Sequence, residues 1–313
     1  MTNSQDITLK GLKGSSVSMA STKTIRPKVA FQASWKTEFV NLLYRNVLTV
    51  ARDVSTIKAV VISAAISSIV MCILISGGGN DPSGVQTKIG TIFGICIYVM
   101  MRSMNPMVPI FHSEKLISRK ERASNSYRVL TAFFSKWFAQ LPVTLAGNMI
   151  FVVPLYWIGS MNPKAGKFFA FIMIILLESL AASSVGIWVA AKSRNVTVGM
   201  IITPLLSILA SLFSGDIVNF ARMPGFMVWM RWISPIGNAI SALSINVFSG
   251  FKTYCPKGAK VCFADGEGLL STFQFDSAPL WNYVGYNAAI TAFFIFFAIR
   301  AFDKQSRPQI RLG

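Results

Sequence analysis

The sequence predicts an all-α polytopic membrane protein with six transmembrane helices, and three observations support this fold class. Of the 313 residues, 53% are hydrophobic and only 13% are charged, whereas a soluble domain carries about 25% charged residues. Several apolar runs approach the length of about 20 residues that a helix needs to cross lipid. These runs are too long and too continuously apolar for barrel strands, and only helices or closed barrels satisfy their backbone groups in lipid.

The net charge of +18 would suggest a nucleic-acid partner in a soluble protein. Here lysine and arginine cluster in alternate loops, which is typical of the cytoplasmic side of a membrane protein. We therefore expect no nucleic-acid partner, and we expect membrane lipids with anionic headgroups to meet this charge. The single histidine and the four scattered cysteines predict no metal site.

The N-terminal part is predicted to lie at the cytoplasmic surface of the membrane. Residues 1–34 are rich in Ser, Thr and Lys and are interpreted as a disordered cytoplasmic tail, with a transit peptide as the weaker alternative. Residues 35–53 combine helically spaced apolar positions with Lys36, Arg45 and Arg52, which predicts an amphipathic interfacial helix. A soluble amphipathic helix has the same pattern, but the apolar run that follows favours the interface.

Six apolar segments are predicted to span the membrane. Their approximate limits are residues 57–76, 88–111, 127–158, 167–191, 196–214 and 279–302. The predicted outer loop 215–278 contains two apolar stretches, 224–234 and 237–250, which are too short to span and are interpreted as re-entrant or interfacial helices. Residues 304–313 form a basic tail. With both termini in the cytoplasm, most Lys and Arg residues lie inside, which supports this topology.

One strongly charged stretch separates the second and third predicted spans. It covers residues 111–127 and reads FHSEKLISRKERASNSY. We interpret residues 112–126 as an amphipathic helix on which a soluble partner acts, because Glu114 and Glu121 can form ion pairs with such a partner while the helix moves as a rigid body. A solvated loop that only marks the cytoplasmic side is the plainer alternative, but such a loop does not require acids among its basic residues.

Three motifs follow one another along the chain. The first consists of Glu114-Lys115, Arg119-Lys120-Glu121 and Tyr127. The second consists of Gln140-Leu141-Pro142, Tyr156, Gly159, Asn162-Pro163 and Phe168-Phe169. The third consists of Ala181-Ala182-Ser183-Ser184, Phe213-Ser214-Gly215, Val218-Asn219, Trp229, Trp232, Ser234-Pro235 and Phe248-Ser249-Gly250. In this order and spacing, the motifs resemble the transmembrane domain of the G subfamily of ABC transporters, the White and pleiotropic-drug-resistance type, over about residues 35–303. Asn125 stands where the family has glycine.

The resemblance implies a type-2 ABC exporter permease fold that works as a homodimer or heterodimer. It implies that an ABC ATPase domain docks on the coupling helix 112–126, whose coupling residues would be Glu114, Lys115, Arg119, Glu121, Arg122 and Tyr127. It also implies a substrate cavity between spans two and five of two protomers, lined by Val99, Arg102, Pro204, Ile208 and Ser211. An apolar cavity suits lipids, sterols or xenobiotics, and an inward Arg102 would favour anions. For each of these residues ordinary helix packing is an equal alternative.

The same resemblance bears on the predicted outer end of the domain. Asp216 and Ile217 occupy the positions of an apolar plug that serves family members as a valve, and the carboxylate departs from that pattern. Cys255 and Cys262 lie in the predicted outer loop, where an oxidising compartment and the cystines of family members imply a disulfide. Glu178 falls at predicted membrane depth and is either a functional ionisable group or a residue of helix packing.

No GxxxxGK[ST] phosphate loop occurs in the sequence. We therefore expect no enzymatic activity and no cofactor on this chain, with ATP and Mg²⁺ bound by the ATPase domain of a partner or of a missing N-terminal part. The predicted function is the permease of an ATP-driven exporter of hydrophobic or amphipathic small molecules in the plasma membrane. The alternative is a non-transporting scaffold or regulatory subunit derived from such a permease. A passive channel is disfavoured because no span offers a repeated polar face.

Overall fold

The structure of the chain is a computed structural model that describes residues 34–76, 82–114, 128–215, 225, 229–250, 266–275 and 278–306. The helices of the described part are, in chain order, α1 (Trp35–Arg52), α2 (Val54–Ile75), α3 (Pro82–Met104), α4 (Val129–Ile158), α5 (Ala165–Lys192), α6 (Val196–Leu212), α7 (Met230–Ile233), α8 (Pro235–Phe248), α9 (Gly266–Thr272) and α10 (Leu280–Ser306). After a turn at Asn105 and Pro106, residues 107–114 continue α3 as a further helical segment.

Five helices have the length and composition of membrane spans, and they confirm the predicted all-α membrane fold. They are α2, α3 with its continuation to Glu114, α4, α5 and α10. α6 has 17 residues and therefore extends about 25 Å, slightly less than the hydrocarbon core of about 30 Å. The count of six spans and the orientation of the termini stay predictions.

α5 forms the centre of the bundle and packs against α10, α3 and α8. A run of small residues, Ala181-Ala182-Ser183-Ser184, lies on α5 and is buried. Small side chains let helix backbones approach closely where hydrophobic burial alone does not hold helices together. The family motif at this position therefore has a packing role, since it sets the spacing of the central helices.

α1 and α2 lie on the outer side of α4. α1 turns Glu38, Leu42 and Asn46 toward the protein, at the i, i+4, i+8 spacing of one helix face, and Asn46 donates a hydrogen bond to the Ser135 hydroxyl at 3.1 Å. α2 is apolar on all sides and largely exposed, which is typical of a helix that faces lipid. The placement of α1 at a membrane interface stays a prediction.

α8 is a short apolar helix inside the bundle, and 13 of its 14 residues are buried. Its N-terminus is capped by Ser234, whose hydroxyl accepts from the Gly237 N–H at 3.1 Å and donates to the Ala210 carbonyl of α6 at 2.9 Å. Pro235 occupies the first turn, where a missing N–H costs nothing. A helix lying on the membrane surface would leave one face exposed, so this burial favours the re-entrant interpretation of residues 237–250.

Candidate coupling and transport sites

One end of the predicted coupling helix is held by an ion pair. Glu114 ends the continuation of α3, and its Oε2 lies 3.1 Å from the Nζ of Lys136 on α4. Only 6% of the Glu114 side chain and 17% of the Lys136 side chain are exposed. Because the pair is largely shielded from water, it is worth more than an exposed surface pair, and removal of either partner would leave a buried charge.

The other end of the coupling segment is held by Glu38 of α1. Its Oε1 accepts hydrogen bonds from the backbone N–H of Arg128 and from the hydroxyl of Thr131. Arg128 is the N-cap of α4, so the carboxylate also interacts favourably with the positive end of the helix dipole. Sequence reasoning missed Glu38, although an acid on the inward face of an amphipathic helix could have indicated a partner.

The two carboxylates join the continuation of α3 to α4 and α1 to the N-terminus of α4. Of the predicted coupling residues, Glu114 alone is described. The others, Lys115, Arg119, Glu121, Arg122 and Tyr127, lie outside the described residues.

Two of the predicted cavity residues lie on the outer side of α6. Ile208 is 52% exposed and Pro204 is half-buried. Ile201, Leu205 and Leu212 are exposed as well, and their spacing from Ile208 places all four on one helix face. This α6 face is apolar and is available to a second protomer or to lipid.

Two other predicted cavity residues lie inside the protomer. Val99 is fully buried in the main hydrophobic core, because its face of α3 packs against α5 and α8, so its expected position in an open cavity is corrected. Ser211 is buried as well, and its hydroxyl donates to the Ile208 carbonyl at 2.7 Å, which satisfies the hydroxyl within α6.

Arg102 points toward α2 of the same protomer. Its Nη2 donates to the Val60 carbonyl at 2.7 Å, and its Nη1 donates to the Ser63 hydroxyl at 3.1 Å. The side chain lines a crevice of about 920 Å³ between α2, α3 and α4. Within one chain, Arg102 and the α6 face therefore belong to different surfaces.

A polar cluster lies between α3, α4 and α5. The hydroxyls of Ser103 and Ser179 are 2.8 Å apart, and Asn148 Nδ2 donates to both at 3.1 and 3.0 Å. The neighbouring Glu178 is fully buried and faces the Cys96 thiol of α3. Among the described residues no nitrogen or oxygen atom is hydrogen-bonded to its carboxyl group. Glu178 therefore belongs to the packed interface of α5 and α3.

Arg231 on α7 is a buried cation that sequence reasoning missed. Its Nη2 donates to the Gln274 carbonyl at 2.7 Å and to the Tyr283 hydroxyl at 2.9 Å, and its guanidinium lies over the Trp232 ring at 5.2 Å. These contacts join α7 to α10. The predicted valve residues Asp216 and Ile217 and the predicted disulfide Cys255–Cys262 lie outside the described residues.

The long apolar helices and the buried α8 define the class of the molecule as an integral, helical, polytopic membrane domain. Residues 37–248 match the family model described as ABC-2 type transporter, and the chain belongs to this family. The match confirms the resemblance to the membrane domain of G-subfamily ABC transporters.

Curated relatives extend well beyond the matched region. The chain is 28% identical over 256 residues to ABC transporter G family member 1 of Dictyostelium discoideum, covering 79% of the chain and 32% of the relative. It is 24% identical over 267 residues to Protein white of Drosophila melanogaster, covering 84% of the chain and 39% of the relative. It is 26% identical over 225 residues to the broad substrate specificity ATP-binding cassette transporter ABCG2 of Bos taurus, covering 68% of the chain and 34% of the relative. The chain thus spans about a third of the length of these relatives.

Proposed function

We propose that this chain is the permease part of an ATP-driven exporter of hydrophobic or amphipathic small molecules. The ABC-2 membrane domain is the part of an ABC transporter that does not hydrolyse ATP, and the relatives are named as ABC transporters. ATP and Mg²⁺ would be bound by ABC ATPase domains, supplied by a partner or by another part of a longer protein. The proposal places both termini in the cytoplasm and the protein in the plasma membrane.

The observation that carries the proposal is the attachment of both ends of the coupling segment. Glu114 pairs with Lys136, and Glu38 binds the N-terminus of α4. Contacts on both sides of the coupling segment support a role in passing movement to α1, α3 and α4, whereas a loop that only carries topological charge requires no such contacts. This arrangement suits an element pushed by a soluble ATPase domain.

The substrate path is proposed to form between two copies of the domain, or between this domain and a related one. The apolar α6 face supports this, because Ile208 and its neighbours are exposed in the single chain and an apolar surface of this kind suits a protein interface or an apolar ligand. The name of the Bos taurus relative, with its broad substrate specificity, agrees with a cavity that selects by hydrophobicity and size.

Co-purification of the tagged chain from native membranes in mild detergent tests the proposal. We expect ABC ATPase domains to be recovered, on a second protein or on a longer form of this polypeptide, together with ATP-dependent uptake of a fluorescent hydrophobic dye into inside-out vesicles. Charge reversal at Glu114 and Glu121 should abolish both the recovery of ATPase domains and the ATP-dependent dye uptake. The control is Glu267→Arg, because Glu267 is exposed on α9. Stable protein that recovers no ATPase domain would contradict the proposal and favour a scaffold.

A further inference from the structure

The crevice between α2, α3 and α4 has a volume of about 920 Å³, which lies within the range of about 300–1,000 Å³ that small-molecule sites occupy. It exists because α2 packs along α4 and touches α3 at few points, so that α4 forms its floor. The crevice lies within a single copy of the chain. Beside the exposed helix α2, a gap of this size is filled in a bilayer, since an empty one would forfeit the dispersion contacts of its walls.

The crevice is polar at one end and apolar at the other. The polar end is lined by Thr49, Asp53, Thr56, Asn105, Lys136 and Gln140. The apolar end is lined by Met71, Gly94, Ile97 and Phe151. α1 ends at Arg52 beside the polar end, so the predicted interfacial position of α1 would place that end at the membrane surface. This gradient matches an amphipathic ligand whose head is directed toward α1.

Three residues that line the crevice, two on α3 and one in the turn after it, carry a buried polar atom that has no hydrogen-bond partner in the described part of the chain. The atoms are Tyr98 Oη, Arg102 Nε and Asn105 Oδ1. Tyr98 and Arg102 lie one turn apart on the same face of α3, and Asn105 lies in the turn that follows. An unsatisfied buried polar atom is costly, and three residues of the crevice lining each carry one. The Tyr98 hydroxyl and the Arg102 guanidinium are donors, and they require acceptors.

Arg102 gives the sign of the ligand's charge. Its guanidinium donates to two neutral acceptors, Val60 and Ser63, and no carboxylate of the described residues lies within ion-pair distance. The Asp53 carboxylate that also lines the crevice accepts the Thr56 N–H at 3.2 Å, and hydrogen bonding from Thr56 holds the pKa of this carboxyl below its ordinary value. Lys136 is paired with Glu114. Among the described residues that line the crevice, Arg102 is therefore the cation that is available to an anionic ligand.

We propose that this crevice binds an anionic phospholipid, with its phosphate at Arg102 and Tyr98 and an acyl chain along Ile97. A phosphodiester offers the acceptors that a guanidinium fork matches. Gly147 on α4 leaves room for the guanidinium, since a Cβ there would lie 2.7 Å from Arg102 Nη2. The site lies within one protomer and does not depend on the proposed transport activity.

Native mass spectrometry of the full-length chain in mild detergent, with equal amounts of phosphatidylglycerol and phosphatidylcholine, tests the proposal. We expect the unmodified chain to prefer the anionic lipid about tenfold, the value of one strong charge-assisted hydrogen bond. Arg102→Gln should remove this preference. Lys58→Gln, which removes an exposed cation of α2 that does not line the crevice, should retain it.

Two further variants keep the test decisive if Arg102→Gln does not fold, as judged by its melting curve. Tyr98→Phe should weaken binding of the anionic lipid about threefold. Ile97→Trp should fill the apolar end and reduce binding of both lipids. Equal binding of the two lipids by the unmodified chain, an unchanged preference in a folded Arg102→Gln variant, or retention of a neutral sterol in place of phospholipid would overturn the proposal.

Discussion

Gly186 marks a close approach between the backbones of α5 and α3. A Cβ at this position would lie 2.4 Å from the Met104 carbonyl oxygen, and Met104 is the last residue of α3 before the turn at Asn105 and Pro106. Because the obstacle is backbone, no side-chain rotation relieves it. We expect Gly186→Ala to destabilise the protein by about 1–3 kcal/mol, as overpacking typically does, measured as a lower melting temperature in detergent.

The control for this substitution is Gly285→Ala in α10. No heavy atom lies within 4 Å of a Cβ built at Gly285, and alanine is preferred over glycine in a helix interior. The melting temperature of this variant should therefore be unchanged or raised. Equal melting temperatures for the two variants would show that α5 and α3 are not packed as closely as the structure has them.

Glu38 holds α1 against the first turn of α4, and its substitution tests that contact. Glu38→Gln keeps the size of the side chain but removes the charge that faces the helix dipole and the Arg128 N–H. We expect the α1–α4 contact to weaken by about 1–2 kcal/mol, seen as faster hydrogen–deuterium exchange in α1. The exposed Glu267→Gln variant should show no such change. Unaltered exchange in α1 would mean that the Leu42 and Asn46 contacts suffice.

At the scale of single residues, the sequence indicated which residues were unusual, but not which residues they contact. Glu114 was singled out as part of a charged element, yet its partner Lys136 lies 22 positions further along the chain, and no pattern in the sequence joins the two. Arg231 and Glu38 were missed because each is a single charge in a segment with other plausible explanations. Their partners, Tyr283 and Arg128, are brought to them by the fold, and sequence spacing contains no record of such contacts.

At the scale of elements, the ion pair between the α3 continuation and α4 is the joint that can be tested most directly. Glu114→Lys or Lys136→Glu alone places two like charges about 3 Å apart, in a site largely shielded from water. Each should destabilise the protein by about 1–3 kcal/mol and lower ATP-driven transport by the assembled transporter. The exchanged pair, Glu114→Lys with Lys136→Glu, should recover part of both.

The measurements for this exchange are the melting temperature and dye uptake of the same four proteins. Recovery of stability without recovery of uptake would separate the structural ion pair from the proposed role of Glu114 in coupling to an ATPase domain. An exchanged variant no more stable than either single variant would show that the two side chains do not interact.

Helix positions were predictable because long apolar runs dictate them. The predicted span 127–158 begins two residues before α4 and ends with it. The predicted span 196–214 begins with α6 and ends two residues after it. Helix contacts were less predictable. Val99 was expected in an open cavity but is buried, because the sequence alone does not show which face of an almost wholly apolar helix meets its neighbours.

At the scale of the whole molecule, the single chain leaves two apolar surfaces with different characters. α2 is exposed along its length and is apolar on all sides, which is typical of contact with lipid. α6 is short and exposes one face that includes Ile201, Leu205 and Ile208. Both helices bury one face against their own chain, and the exposed face of α6 is the one that carries the predicted cavity residues Pro204 and Ile208, which makes it the candidate for a dimer interface.

Cysteine cross-linking distinguishes these two surfaces. In a twofold interface a residue near the axis meets its own copy, so we expect Ile208→Cys to form a cross-linked dimer in membranes treated with an oxidant. Ile66→Cys, on the exposed face of α2 with a similar exposed fraction of 57%, should remain uncross-linked, and the parent chain reports any contribution of native cysteines. A cross-linked product containing a different polypeptide would establish a heterodimer. Cross-linking at Ile66 but not at Ile208 would instead move the interface to α2 and exclude the substrate path proposed along α6.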